Sequence, residues 1–174
     1  MLSPTPPSLR CMTSRPPIDD LPIPAAVLTD VVEEHDISTA ELALALVSVH
    51  ESLATGADAI RKHYDDEENP EPLTSPDDLL SVLFVSPEHW NQVRATLSAT
   101  EETTVKAVHA AYARELGANE DTLDSRVPLI VPSAAVGGLI RAGLSRRQAE
   151  VQVLRSQGNS HAEIADTLGM AVST

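Results

Sequence analysis

Residues 144–174 read LSRRQAEVQVLRSQGNSHAEIADTLGMAVST, and two pairs of polar residues in this stretch predict where helices begin. Ser145 is followed three positions later by Gln148, and Ser160 is followed three positions later by Glu163. Each pair forms a capping box, in which the serine side chain and the later side chain satisfy each other's free backbone N–H groups. The sequence therefore predicts two consecutive short helices in this region.

The apolar and glycine positions of the same stretch predict how the two helices pack. Gly158 ends the first helix, and Gly169 permits a sharp turn after the second because glycine adopts positive φ without strain. The small Ala165 lies where two helices must cross closely. The residues predicted to face inward are Val151, Val153, Leu154, Ile164, Ala165 and Leu168. This order of helix, turn and second helix is that of a helix-turn-helix unit whose third helix follows the turn.

The stretch resembles the LuxR-type helix-turn-helix, which is similar to the promoter-reading region four of sigma factors. The positions that carry the resemblance are Leu144-Ser145, Arg147, Glu150-Val151, Leu154, Gly158, Ser160, Glu163-Ile164-Ala165, Leu168-Gly169 and Val172-Ser173-Thr174. Gln152 and Asn159 depart from it, since the family usually has apolar residues there. The resemblance covers residues 144–174, and it implies a unit that docks on DNA.

The resemblance also implies which residues contact DNA. They are Arg146, Arg147, Ser160, His161, Ser173 and Thr174. The two arginines and the histidine would contact phosphate, the serine that caps the second helix would orient that helix at the DNA backbone, and the last two residues would begin the surface that reads the bases. Because Thr174 falls in the first turn of that reading helix, the unit is predicted to be incomplete and its binding to DNA weak.

The charge distribution favours the same region as the one that approaches DNA. The chain has 12 Lys and Arg against 26 Asp and Glu, a net charge of −14. Residues 139–174 carry a net charge of +1, whereas residues 1–138 carry −15. Phosphate attracts cations, so the C-terminal segment is the part that electrostatics allows near nucleic acid. The excess of acidic residues also resembles halophilic proteins, although an ordinary acidic cytosolic protein remains an alternative.

The rest of the chain predicts an all-α fold, a small helical domain followed by the incomplete helix-turn-helix. An apolar fraction of 42% with only 2% aromatics indicates a core of Ala, Val, Leu and Ile, which favours packed helices. The predicted divisions are a disordered Pro-rich arm at 1–20, a helical domain at 21–117 with an acidic linker at 65–74, an extended connector at 118–132, and the incomplete helix-turn-helix at 133–174.

Two segments leave their secondary structure open. A short apolar helix is predicted from Ser75 through Val85, but Leu83-Phe84-Val85 could instead form a buried strand. The proline-bracketed residues 127–132 are either extended connector or an edge strand, because each proline removes one donor from a strand ladder.

The sequence offers little that would carry catalysis. It has no Gly-rich phosphate loop, no nucleophile elbow, and no pair of histidines at metal-binding spacing with a third ligand nearby. Cys11 is the sole cysteine, so no intramolecular disulfide can form, and no apolar run approaches the length of a membrane span. We therefore expect no enzyme activity, no cofactor, no metal and no membrane segment, and a cytoplasmic location.

Two functions fit these observations. The first is a DNA-binding transcriptional regulator, or a truncated remnant of one, in which residues 21–117 form a homodimer or sense a signal. The alternative is an acidic helical protein–protein interaction module that does not bind DNA.

Overall fold

The computed structural model describes residues 23–65, 70–94 and 96–170, and it shows a mixed α/β fold. The predicted all-α fold class is wrong, because three strands form an antiparallel sheet. The predicted arm at 1–20 lies outside the described residues, as do Ser173 and Thr174. No helix in the described ranges is long and apolar enough to cross a membrane.

Helices form most of the described chain. Their bounds are α1 Ala25–His35, α2 Thr39–Asp65, α3 Pro87–Val93, α4 Ala99–Glu115, α5 Glu120–Ser125, α6 Ala134–Arg141, α7 Arg146–Ser156 and α8 His161–Thr167. Most begin at a polar cap whose side chain accepts a backbone N–H, as Ser98 does in its capping box with Glu101. Local capping chemistry therefore accounts for many of the observed helix starts.

The sheet contains β1 Leu73–Thr74, β2 Leu80–Val85 and β3 Val127–Pro132, in the order β1-β2-β3. The helix predicted from Ser75 through Val85 is wrong, and the alternative of a buried strand is correct. All six residues of β2 are buried, so the segment lacks the alternation of apolar and polar residues that marks a half-exposed strand. A short, continuous apolar run does not distinguish a buried strand from a buried helix by its period.

Strand β3 pairs with β2 in antiparallel register, with Leu129 opposite Leu83. It lies at one edge of the three-stranded sheet, where the prolines at its second and last positions are tolerated. The alternative of an edge strand at 127–132 is therefore the observed one. Just before it, α5 is helical where the sequence predicted an extended connector, and Asn119 caps that helix by accepting the Thr122 N–H at 2.8 Å.

The buried side chains fall into two clusters. The larger cluster fills the space between the sheet and helices α1, α2, α3 and α4. The smaller cluster joins α6, α7 and α8, and it includes Leu79 from the turn between β1 and β2. The C-terminal helices are therefore packed onto the sheet-containing part of the molecule rather than standing apart from it.

Candidate nucleic-acid interface

Both capping boxes predicted in the C-terminal segment are present. Ser145 Oγ accepts the Gln148 N–H at 3.3 Å, and Gln148 Oε1 accepts the Ser145 N–H at 2.9 Å. At α8, Ser160 Oγ accepts the Glu163 N–H at 3.3 Å, and Glu163 Oε2 accepts the Ser160 N–H at 2.7 Å. These reciprocal bonds fix the starts of α7 and α8 as the sequence indicated.

The turns and the inner face also match the sequence pattern. Gly158 follows α7 with φ of +88°, and Gly169 follows α8 with φ of +60°. The buried apolar residues of this segment are Ala149, Val153, Leu154, Ile164, Ala165 and Leu168. Val151, predicted to face inward, is only partly buried. The result is a two-helix unit with a continuous apolar interior.

The arginines at the start of α7 are bound to a buried carboxylate. Arg146 Nε donates to Glu150 Oε1 at 2.9 Å, and Arg147 Nη1 donates to Glu150 Oε2 at 3.2 Å. The Glu150 side chain is only 3% exposed. Both guanidinium groups therefore neutralise a charge inside the protein, and less of their positive charge is offered to a phosphate than the sequence suggested.

Glu150 was not singled out from the sequence as a partner of these arginines. The spacing of Arg146 and Glu150 by four positions is a helical ion-pair signal that could have identified it. Arg146 Nη2 is also buried and has no hydrogen-bond partner among the described residues. The start of α7 is thus partly an internal electrostatic structure.

An exposed cation, Arg155 near the end of α7, lies instead beside the start of α8. The exposed Arg155 places Nη2 3.5 Å from Nε2 of His161, which is also exposed, and Ser160 precedes it as the cap. Arg155 was absent from the residues that the resemblance implied. The structure therefore brings together Arg155, Ser160 and His161 at the surface.

A shallow groove of about 650 Å³ runs along the outer side of α7. Leu144, Val151 and Met170 give it an apolar floor, and polar side chains line its rim. Met170, 43% exposed, ends the described chain at this groove. Apolar surface is therefore available where the chain continues beyond α8.

Within the described ranges, no group of three or more His, Cys, Asp or Glu side chains is arranged to hold a metal ion. Four of the predicted site residues lie in the described ranges. Arg146 and Arg147 are ion-paired, and Ser160 and His161 are exposed.

The family described as Domain of unknown function (DUF8048) matches residues 21–133. That segment contains the sheet and the larger apolar cluster, and it ends just before α6. No curated protein and no solved structure matches the chain. The matched segment therefore excludes the helices of the candidate interface.

Proposed function

Because the chain belongs to the DUF8048 family, whose description assigns no activity, we propose its function from the helices that follow the family segment. The chain is a DNA-binding transcriptional regulator in which α7 and α8 act as the first two helices of a LuxR-type helix-turn-helix. The observation that carries this proposal is the two-helix unit itself. Two capping boxes, a positive-φ glycine after each helix and a buried Ala165 occur at the spacing that the motif requires.

The exposed charge supports contact with the DNA backbone at the approach to α8. Arg155 and His161 lie together at the surface, and Ser160 places the start of α8 beside them. Glu150 holds Arg146 and Arg147, so these two make a smaller contribution than Arg155. With so few cations and a net charge of −14, we expect weak, non-specific binding, with a Kd no better than about 10⁻⁴ to 10⁻⁶ M at physiological salt.

The groove beside α7 supports the placement of a reading helix. A third helix must bury an apolar stripe against the first two, and Leu144, Val151 and Met170 offer such a surface.

In this proposal the regulator acts in the cytoplasm, and residues 21–117 form a homodimer so that the helix-turn-helix units of two chains contact neighbouring half-sites on DNA. Analytical ultracentrifugation of the purified chain tests whether it forms this homodimer. A protein that is strictly monomeric would contradict this part of the proposal.

The DNA-binding proposal is tested by fluorescence anisotropy with a labelled duplex over a range of salt concentrations. Wild-type protein should bind weakly, and its affinity should fall as salt rises, because binding releases counterions from phosphate. Arg155→Ala should reduce the slope of log affinity against log salt by about 1. The matched control is Arg114→Ala, which removes the same charge from an exposed pair with Glu120 far from the motif in sequence.

Two results would contradict the proposal. One is no salt-dependent binding by the wild-type chain even at low salt, and the other is an equal loss of binding in both arginine variants. Either result would favour the acidic protein–protein interaction module. The specific observation that favours this alternative is that Arg146 and Arg147 form ion pairs with the buried Glu150.

A further inference from the structure

We propose that a cleft between the family domain, residues 21–133, and the helices α7 and α8 binds a small organic cation with an apolar body. The cleft has a volume of about 600 Å³. It is lined on one side by α1 and the turn before β2, and on the other by α7 and the end of α8. Ligand sites commonly have volumes of about 300 to 1,000 Å³ and occur at such domain boundaries.

The floor of the cleft is apolar. It is formed by Ile23, Leu28, Leu79 and Leu168, each of which is at least nine-tenths buried. These side chains come from both sides of the boundary, so a molecule seated on them would contact the family domain and α8 together. An aliphatic or aromatic group of the ligand is the part that would lie here.

Two threonine hydroxyls in the cleft select for a ligand that donates hydrogen bonds. Thr29 Oγ1 donates to the Ala25 carbonyl at 3.0 Å, and Thr167 Oγ1 donates to the Glu163 carbonyl at 2.9 Å. A hydroxyl has one proton, so the Oγ1 of each threonine keeps only lone pairs for a further partner. An ammonium group supplies the donors that these lone pairs lack, whereas a carboxylate does not.

The charges of the cleft favour the same ligand. Asp166 is exposed and lines the cleft. Asp77 adds a second carboxylate, whose Oδ1 accepts the Leu79 N–H at 3.1 Å. Among the described residues that line the cleft, the cation is Arg147, which already pairs with the buried Glu150. Carboxylates therefore outnumber the positive charge available to a ligand.

The proposal is tested on the full chain by isothermal titration calorimetry with 2-phenylethylamine as the probe and phenylacetate as its matched anion. The amine should bind at least fivefold more tightly than the anion, and it should shift the NMR methyl signals of Leu79 and Leu168. Asp166→Asn should weaken amine binding about fivefold, as expected for a partly exposed ion pair. Its control is Asp30→Asn, an exposed carboxylate on α1 that does not line the cleft.

A second pair of variants tests the location. Ala25 and Ala26 are adjacent exposed residues of α1, but only Ala25 lines the cleft. Ala25→Trp should fill part of the cleft and abolish measurable amine binding, and Ala26→Trp should leave it unchanged, with both folds checked by circular dichroism. Failure of the amine to bind, tighter binding of phenylacetate, or equal effects of the two tryptophans would overturn the proposal. No DNA enters this assay, so its outcome is separate from that of the proposed function.

Discussion

The side-chain amide of Gln157 donates a 3.0 Å hydrogen bond to the backbone carbonyl of Asp77. This bond joins the end of α7 to the turn between β1 and β2. In the same turn, Leu79 is buried against the C-terminal helices, and its carbonyl accepts the Ser133 N–H at 2.9 Å. The apolar faces of two short helices need a further surface to cover them, and this turn supplies part of that surface for α7 and α8.

Leu79→Ala should loosen α8 from the family domain. Truncating a buried leucine removes apolar contacts and leaves a cavity, at a cost of about 2 to 5 kcal/mol. Amide hydrogen exchange of Ile164 and Ala165 should therefore be faster by about thirtyfold or more in the variant. The control is Leu44→Ala, because Leu44 is 61% exposed. Equal exchange of α8 in both variants would show that α8 is held without Leu79.

The predictability of each part depended on whether its cause was local. The caps Ser145 and Ser160 were predictable, since each needs only a partner three residues away. Strand β2 was predicted less well, because its pairing with β3 joins residues such as Leu83 and Leu129 that lie far apart in the chain. The pairing of both arginines with Glu150 also depended on the burial of Glu150, which its local sequence does not reveal.

Glu150→Ala should destabilise the start of α7. The variant removes the carboxylate that accepts from Arg146 at 2.9 Å and from Arg147 at 3.2 Å, and it leaves the partly buried Arg146 without that counter-charge. We expect the free energy of unfolding to fall by about 2 kcal/mol, as measured by urea denaturation. Glu88→Ala, at an exposed position in α3, should change it by less than about 0.5 kcal/mol. A neutral Glu150→Ala result would mean that the two arginines find equivalent partners.

Two histidines in the larger core should make the protein sensitive to mild acid. The rings of His50 and His109 are edge to face with centroids 6.1 Å apart, and each Nε2 is buried without a partner among the described residues. Burial is the main cause that lowers the pKa of His50 to about 3, and nearby His109 and Arg146 act in the same direction. Burial also lowers the pKa of His109 to about 4, although its hydrogen bond to the Pro128 carbonyl opposes this.

Because both pKa values lie below 6.5 in the folded protein, the unfolded chain binds more protons in mild acid. The part of the free energy of unfolding that depends on these two neutral histidines should be fully present above pH 6.5. It should fall as the pH drops toward 4, by several kcal/mol in total. His109→Asn should reduce the slope of unfolding free energy against pH by up to about 1.4 kcal/mol per pH unit. The matched control for the loss of a histidine is His161→Asn, at an exposed position. A slope that is the same in all three proteins would rule out His109 as a source of the acid sensitivity.

Trp90, the single tryptophan of the chain, is hydrogen-bonded to the ion-paired carboxylate of Glu102, so its fluorescence should respond to changes in that carboxylate. Its Nε1 donates to Glu102 Oε1 at 2.9 Å, and Lys106 Nζ lies 2.8 Å from the same oxygen and 5.3 Å from the indole centroid. The hydrogen bond from Lys106 is the main cause that lowers the pKa of Glu102 to about 2, and hydrogen bonds from Trp90 and Arg94 contribute in the same direction. The ionised carboxylate is therefore what holds the cluster together.

Glu102→Ala should shift the Trp90 emission and lower the free energy of unfolding by about 1 to 3 kcal/mol, because it leaves the indole N–H of a buried tryptophan without its acceptor. In the wild-type protein the folded pKa of Glu102 lies below 4.5, so its contribution is present above pH 4.5 and is lost as the pH falls toward 2. The matched variant Glu102→Gln keeps an amide oxygen for the indole but loses the charge. It should therefore retain most of the emission spectrum while losing the acid-dependent part of the stability. A wild-type emission change centred near pH 4.5, rather than near 2, would show that Lys106 does not hold the carboxylate in its ionised form.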